Sequence, residues 1–117
     1  MIIDKLTLHN FGVYGGRHEI ELTPTDPSKP ITLFGGLNGG GKTTFLDALL
    51  LVLYGKFAKC SNRGNLSYDD YLRKSINRQV SEKDGAAIGL EFRHKQSNVE
   101  ESVRVTRSWR ATGKGIR

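Results

Sequence analysis

Eight consecutive residues, Gly36-Leu37-Asn38-Gly39-Gly40-Gly41-Lys42-Thr43, constrain this chain more than any other feature, because they fit the spacing G-x-x-x-x-G-K-[ST]. Before them, Ile31-Thr32-Leu33-Phe34 reads as a short strand buried on both faces; after them, the run from Lys42 to about Tyr54 reads as a helix. A strand, a glycine-rich loop and a helix that begins inside the loop form a unit in which backbone N–H groups converge on a phosphate. Glycine is needed there because a chain without Cβ curls tightly and comes close to an anion. On this reading Gly36, Asn38, Gly39, Gly40 and Gly41 line a triphosphate-binding loop. Lys42 bridges the β- and γ-phosphates of ATP, the Thr43 hydroxyl is a ligand of Mg2+, and Thr44 reaches the α-phosphate.

The remaining sequence reads as a succession of short elements without repeats. Residues 2–11 predict a strand with Leu6 and Leu8 on one face and Lys5, Thr7 and His9 on the other. A turn over Gly12 to Gly16 leads to a second strand, residues 17–22, with Arg17, Glu19 and Glu21 outward and His18, Ile20 and Leu22 inward. These two make an antiparallel hairpin at a sheet edge, ended by Pro24, Pro27 and Pro30. The helix from Lys42 is apolar around nearly its whole circumference, which predicts a central, buried position, and Gly55 closes it. A second helix is expected near 67–77, where Ser67 with Asp70 three residues on resembles a capping box and Tyr68, Tyr71 and Leu72 make one face. Ala86/Ile88/Leu90/Phe92 and Val103/Val105/Arg107/Trp109 mark two further strands joined by a hairpin loop around Gln96 to Glu101. The fold class is α/β.

With 117 residues, 37% hydrophobic and 26% charged, the chain has the size and balance of one small globular domain. Its longest apolar run, Ala48 to Tyr54, is far short of the roughly 20 residues that span a bilayer, and its first residues do not read as a signal peptide, so a cytoplasmic protein without a membrane partner is expected. The single cysteine, Cys60, is expected to be a reduced thiol. Charge is uneven: residues 1–55 carry four Lys/Arg against five Asp/Glu, and residues 56–117 carry fourteen against seven. A basic second half suits a polyanion such as DNA, and Arg93, Lys95, Arg104 and Arg110 are its candidate phosphate contacts; a solvated strand and tail accounts for the same charges.

Hydrolysis needs more than a phosphate loop. An acidic residue at the end of another buried strand must hold Mg2+, and a further group must place the attacking water. No segment supplies four apolar residues ending in Asp or Glu: Phe92 is followed by Arg93, and Val105 by Thr106 and Arg107. No catalytic residue is therefore assigned within these residues, and binding without turnover is what they support.

Two stretches go beyond a generic phosphate loop. Ile3-Asp-Lys-Leu-Thr-Leu-His-Asn-Phe-Gly12, and Ile31 through the loop to Leu49, resemble the N-terminal ATPase lobe of the structural-maintenance-of-chromosomes and double-strand-break-repair ATPases, with Asn38 in the loop and Asp47 in the helix as in that family. The run Gly55-Lys-Phe-Ala-Lys-Cys-Ser-Asn-Arg-Gly-Asn-Leu-Ser-Tyr-Asp-Asp-Tyr-Leu-Arg73 is similar, more narrowly, to the DndD family of bacterial DNA phosphorothioate (sulfur) modification. The resemblance implies a phosphate-loop NTPase of ABC head type, of which residues 1–117 are the N-terminal lobe. It implies a C-terminal lobe of the same protein beyond a coiled coil, a second head joined through ATP, DNA across the joined heads, and partner sulfur-modification proteins. The family often has an arginine after Asn-Phe that touches nucleotide; here that position is Gly12.

Other residues receive structural expectations. Asp47 is a dipole-compatible or hydrogen-bonding residue rather than a catalytic carboxylate, and His18 is a core histidine. Arg107 shares strand parity with Val103, Val105 and Trp109, which points to an ion pair or an interface. Cys60 is a loop thiol or an interface residue, and Arg63 either braces its loop or contacts DNA or a partner. A self-sufficient nucleotide-dependent binding module is the competing function; a small phosphate-loop kinase would need an Arg-rich lid and an acceptor site, for which the chain has no room.

Overall fold

The computed structural model describes residues 2–23, 42–60, 63–113 and 115–117, and of Lys42 the backbone alone. The predicted strand at 31–34 and Gly36, Asn38, Gly39, Gly40 and Gly41 lie outside the described residues. Four strands, β1 (Ile2–Phe11), β2 (Tyr14–Glu21), β3 (Ala86–Gln96) and β4 (Val99–Trp109), form an antiparallel sheet in the order β2-β1-β3-β4. Two helices, α1 (Lys42–Tyr54) and α2 (Tyr68–Ser75), intervene in sequence between β2 and β3, and a small ribbon of β5 (Ala111–Thr112) and β6 (Gly115–Ile116) follows β4.

Alternation of side chains sorts the sheet into two faces. Leu6 and Leu8 of β1 face Leu90 and Ile88 of β3 across the ladder, and all four are fully buried. The helix α1 closes over them with Phe45, Ala48, Leu51 and Val52, spaced three, three and one residue apart on one side. Its other side departs from the expectation of a fully buried helix: Leu46, Leu53 and Tyr54 are exposed, and Phe57 of the following 3-10 turn is 76% exposed. The inner face of the sheet covers one side of α1 and no more. At its C-terminal end Gly55 turns with φ +59°, and a Cβ there would come within 3.0 Å of the Arg107 guanidinium, whose Nε donates to the Val52 carbonyl at 3.0 Å. Arg107 thus satisfies an end carbonyl and complements the negative end of the helix dipole.

Both hairpin turns are tighter than the composition implies. Phe11 pairs with Tyr14, so Gly12 and Val13 alone make the first turn, and Gly15 and Gly16 are strand residues. The second turn is Ser97-Asn98, with φ of +53° and +66°, and Gln96 pairs with Val99. Positive φ at both central residues is the geometry whose twist matches the flanking strands, and it extends β3 and β4 beyond their predicted ends. His18 is also corrected. It stands opposite Leu8, on the inner side by register, yet it is exposed: among the described residues α1 packs over β1, β3 and β4, and His18 lies on edge strand β2. Its Nε2 instead donates to the Gly15 carbonyl at 2.7 Å and its ring meets Tyr14 edge-on.

Ser67 caps α2 as expected, its Oγ accepting from the Asp70 N–H at 3.1 Å, and Tyr71 and Leu72 bury the inner side. Trp109 then fastens helix to sheet: its indole N–H donates to the Leu72 carbonyl at 2.8 Å and its ring stands edge-on to Phe11 at 5.9 Å. Trp109→Ala removes both contacts and opens a cavity, and we expect it to cost about 3–5 kcal/mol of folding stability, measured by urea unfolding.

Candidate nucleotide site

The first turn of α1 carries no acidic residue, so the positive end of the helix dipole meets no carboxylate within that turn. Lys42 opens the helix, Thr43 is exposed, and Thr44 is half-buried. Thr44 lines a cavity of roughly 270 Å3 shared with Phe11, Gly12, Asp47, Tyr71, Lys74 and Ser75. Three elements separated in sequence therefore meet over the threonine that follows the glycine-rich loop: the β1–β2 turn, α1 and the end of α2.

Backbone hydrogen bonds hold this meeting point. The Gly12 N–H donates to the Ser75 carbonyl at 2.6 Å, and the Asn77 N–H to the Asn10 carbonyl at 2.8 Å. The Asn77 side chain donates to the Gly12 carbonyl at 3.0 Å and accepts from the Gln79 N–H at 2.9 Å. Asn10, buried and at φ +52°, accepts from the Gly16 N–H through Oδ1 at 2.7 Å. Gly12 itself has φ +57°, and a Cβ on it would lie 2.6 Å from Thr44 Cγ2. Glycine is thus required there by backbone conformation and by the approach of Thr44 together. Sequence reasoning missed Asn10 and Asn77, since two isolated asparagines form no periodic signal; an Asn directly before Phe-Gly in a strand-to-turn position was the one available cue.

Asp47 is buried on the same cavity wall, and the Cys60 thiol donates to its backbone carbonyl at 3.5 Å. Burial pushes the Cys60 thiol above its usual range, and burial together with the Cys60 hydrogen bond does the same to Tyr71. Both groups are neutral near pH 7, and Cys60 is the expected loop thiol, free and turned into the core. Arg63 braces its loop: its guanidinium donates to the carbonyls of Lys56 at 2.7 Å, Ala58 at 3.3 Å and Leu66 at 3.3 Å, and lies over the Tyr68 ring.

The four candidate DNA contacts separate into two pairs. Arg93 makes a bidentate bridge to Asp4 at 2.8 and 2.9 Å and also reaches Glu100, and this guanidinium holds the Asp4 carboxyl below its ordinary value. Arg104 binds Glu91 at 2.8 Å, within a ladder that runs across the outer face from Arg17 through Glu19, Lys5 and Glu91 to Arg104. Lys95 and Arg110 are exposed and make no ion pair among the described residues. No group of three or more metal-ligating side chains occurs among the described residues, and no helix among them is long and apolar enough to cross a membrane.

An α/β domain whose helix opens from a glycine-rich phosphate loop is a phosphate-loop ATPase lobe, and the comparisons agree. The chain belongs to the AAA domain family, whose model matches residues 5–116. It is similar to the C subunit of the SbcCD nuclease of Treponema pallidum, with 46% identity over 52 residues, covering 44% of this chain and 5% of the relative. It is similar also to the same subunit of the Vibrio cholerae SbcCD nuclease, with 37% identity over 67 residues, covering 57% of this chain and 6% of the relative. The chain therefore spans a small part of these relatives and corresponds to an N-terminal region of the ABC-type ATPases akin to the structural-maintenance-of-chromosomes proteins.

Asp4, Glu19 and Glu91 are all held below their ordinary values, first by hydrogen bonds from Arg93, Arg17 and Arg104 respectively. A depressed carboxylate stabilises the fold fully above its unfolded value near pH 4 and loses that contribution as pH falls through the lower folded value. Thermal melts should therefore show stability level from pH 7 to about 5 and falling below about pH 4. Asp4→Asn should lower the plateau and flatten the acid limb.

Proposed function

We propose that this chain is the N-terminal, nucleotide-binding lobe of a split ABC-type ATPase head that works on DNA. The observation that carries the proposal is the G-x-x-x-x-G-K-T run continuing into α1, whose first turn lacks acids and whose Thr44 stands at a cavity between three elements. In this role Gly36, Asn38, Gly39, Gly40 and Gly41 present backbone N–H groups to the phosphates of ATP, and Lys42 bridges the outer two. Thr43, exposed on the first turn, is the protein's oxygen ligand to Mg2+, and Thr44 faces the α-phosphate. Bound Mg2+ draws charge from the phosphate oxygens; this chain's part is to hold and orient the triphosphate.

The exposed side of α1 supports the lobe reading. Leu46, Leu53 and Tyr54 are exposed on the helix with half-buried Leu50 between them, and exposed Phe57 of the following turn continues the row at spacings of four, three, one and three residues. Such a stripe beside a nucleotide site fits a C-terminal lobe of the same protein, which would bring the missing acidic Mg2+ ligand and the water-placing group. ATP then joins two such heads, and DNA lies across them. Among basic residues Lys95 and Arg110 are the better candidates for DNA phosphate, since Arg93 and Arg104 already face carboxylates.

Two biological settings are supported by different observations. The similarity to the SbcCD nuclease favours a double-strand-break-repair type of ATPase with a nuclease partner. The run from Gly55 to Arg73 favours the DndD type, with partner proteins of DNA sulfur modification.

A titration of the chain with Mg-ATP, with phosphate release followed in the same samples, tests the lobe reading. Weak binding without turnover is expected, and Lys42→Ala should weaken it by about tenfold or more, as loss of a charge-assisted contact does. Turnover by residues 1–117 alone overturns the split-head reading.

A further inference from the structure

Two cations occupy the last turn of α2, and they are used differently. Arg73 is committed to Glu82 at 3.1 Å. Lys74 is exposed, makes no ion pair among the described residues, and lines the same cavity as Thr44. It is the one cationic side chain on that cavity among the described residues.

The position of Lys74 is fixed from outside its own helix. Ser75, the next residue, receives the Gly12 N–H, and Asn77 holds the Asn10 and Gly12 carbonyls. The end of α2 is therefore fastened to the turn that abuts Thr44, which holds the backbone of Lys74 at a fixed place relative to Thr44. Gly12, lacking a Cβ, allows the close approach to Thr44 that this wall requires.

Electrostatics gives the lysine its task. Asp47 is buried on the same cavity. An ammonium that lines this cavity beside Thr44 supplies up to three N–H donors to anionic oxygens. We propose that Lys74 is a ligand-binding residue of the nucleotide site, contacting the phosphate nearest the nucleoside as it passes Thr44. The inference rests on the reading of Gly36 to Thr44 as a nucleoside-triphosphate loop, and it adds a contact supplied by α2, outside that loop.

Lys74→Met, Lys74→Arg and Lys42→Ala are compared with the parent protein by calorimetric titration with Mg-ATP and with Mg-ADP, and by thermal melting. Contact with the phosphate nearest the nucleoside predicts that Lys74→Met raises both dissociation constants by the same factor, about tenfold. Lys74→Arg should restore binding to within about threefold, and the melting temperature should stay within about 2 °C of the parent in both variants, as for an exposed substitution. Parent-like binding by Lys74→Met overturns the inference while the loop reading stands. A loss of binding that tracks a fall in melting temperature and is not restored by arginine assigns Lys74 to the helix end instead and also overturns it. Failure of Lys42→Ala to weaken the parent's binding overturns the loop reading, and this inference with it.

Discussion

The hydrogen bonds between the Gly12 turn and the end of α2 are the constraint on which the rest of this structure depends. They join residues up to 65 positions apart and tie the sheet to the end of the second helix. Gly12 and Ser75 meet through a backbone hydrogen bond, so the contact is insensitive to rotamers. Trp109 reinforces it from the far end of β4 by donating to the Leu72 carbonyl and packing on Phe11. Around this junction the cavity over Thr44 takes its shape.

The charges obey a different rule on each surface. On the outer sheet face, cations and carboxylates alternate from strand to strand, and two of the second half's arginines, Arg93 and Arg104, are matched there by Asp4 and Glu91. Such exposed pairs stabilise only modestly each and serve chiefly to fix strand register. At the end of α2 and at the ends of β3 and β4 the cations are not so matched. A count of basic residues therefore overstates the polyanion-facing surface, and pairing decides which of them are left to act.

Strand and helix placement was legible wherever a period or a cap marked it. Leu6 and Leu8 against Thr7 and His9, Ile88 and Leu90 against Gly89 and Glu91, and Ser67 with Asp70 each announced an element that is present. Tight turns were not legible, because Ser97 and Asn98 adopt positive φ without a glycine, and Gly15 and Gly16 belong to strand β2 rather than to the turn. His18 shows the limit of parity: alternation assigns a face but not what covers it. The phosphate-loop residues were named from their spacing, whereas Gly12, Asn77 and Lys74 come to the site through long-range contacts that leave no local pattern.

One further property belongs to β4. It is an edge strand of 11 residues, paired with β3 from Val99 to Trp109 without a bulge, and its outer row of N–H and C=O groups is unclaimed by the four-stranded sheet. Long regular edges of this kind are templates for intermolecular strand pairing, and side-chain charge is the usual guard against it. Here the guards are Glu100, Glu101 and Arg104, acting by repulsion and hydration rather than by a proline or a kink. Among the described residues the sheet therefore ends at β4 in a regular edge guarded by charge rather than by a kink, a geometry that leaves its outer hydrogen-bonding row open to pairing.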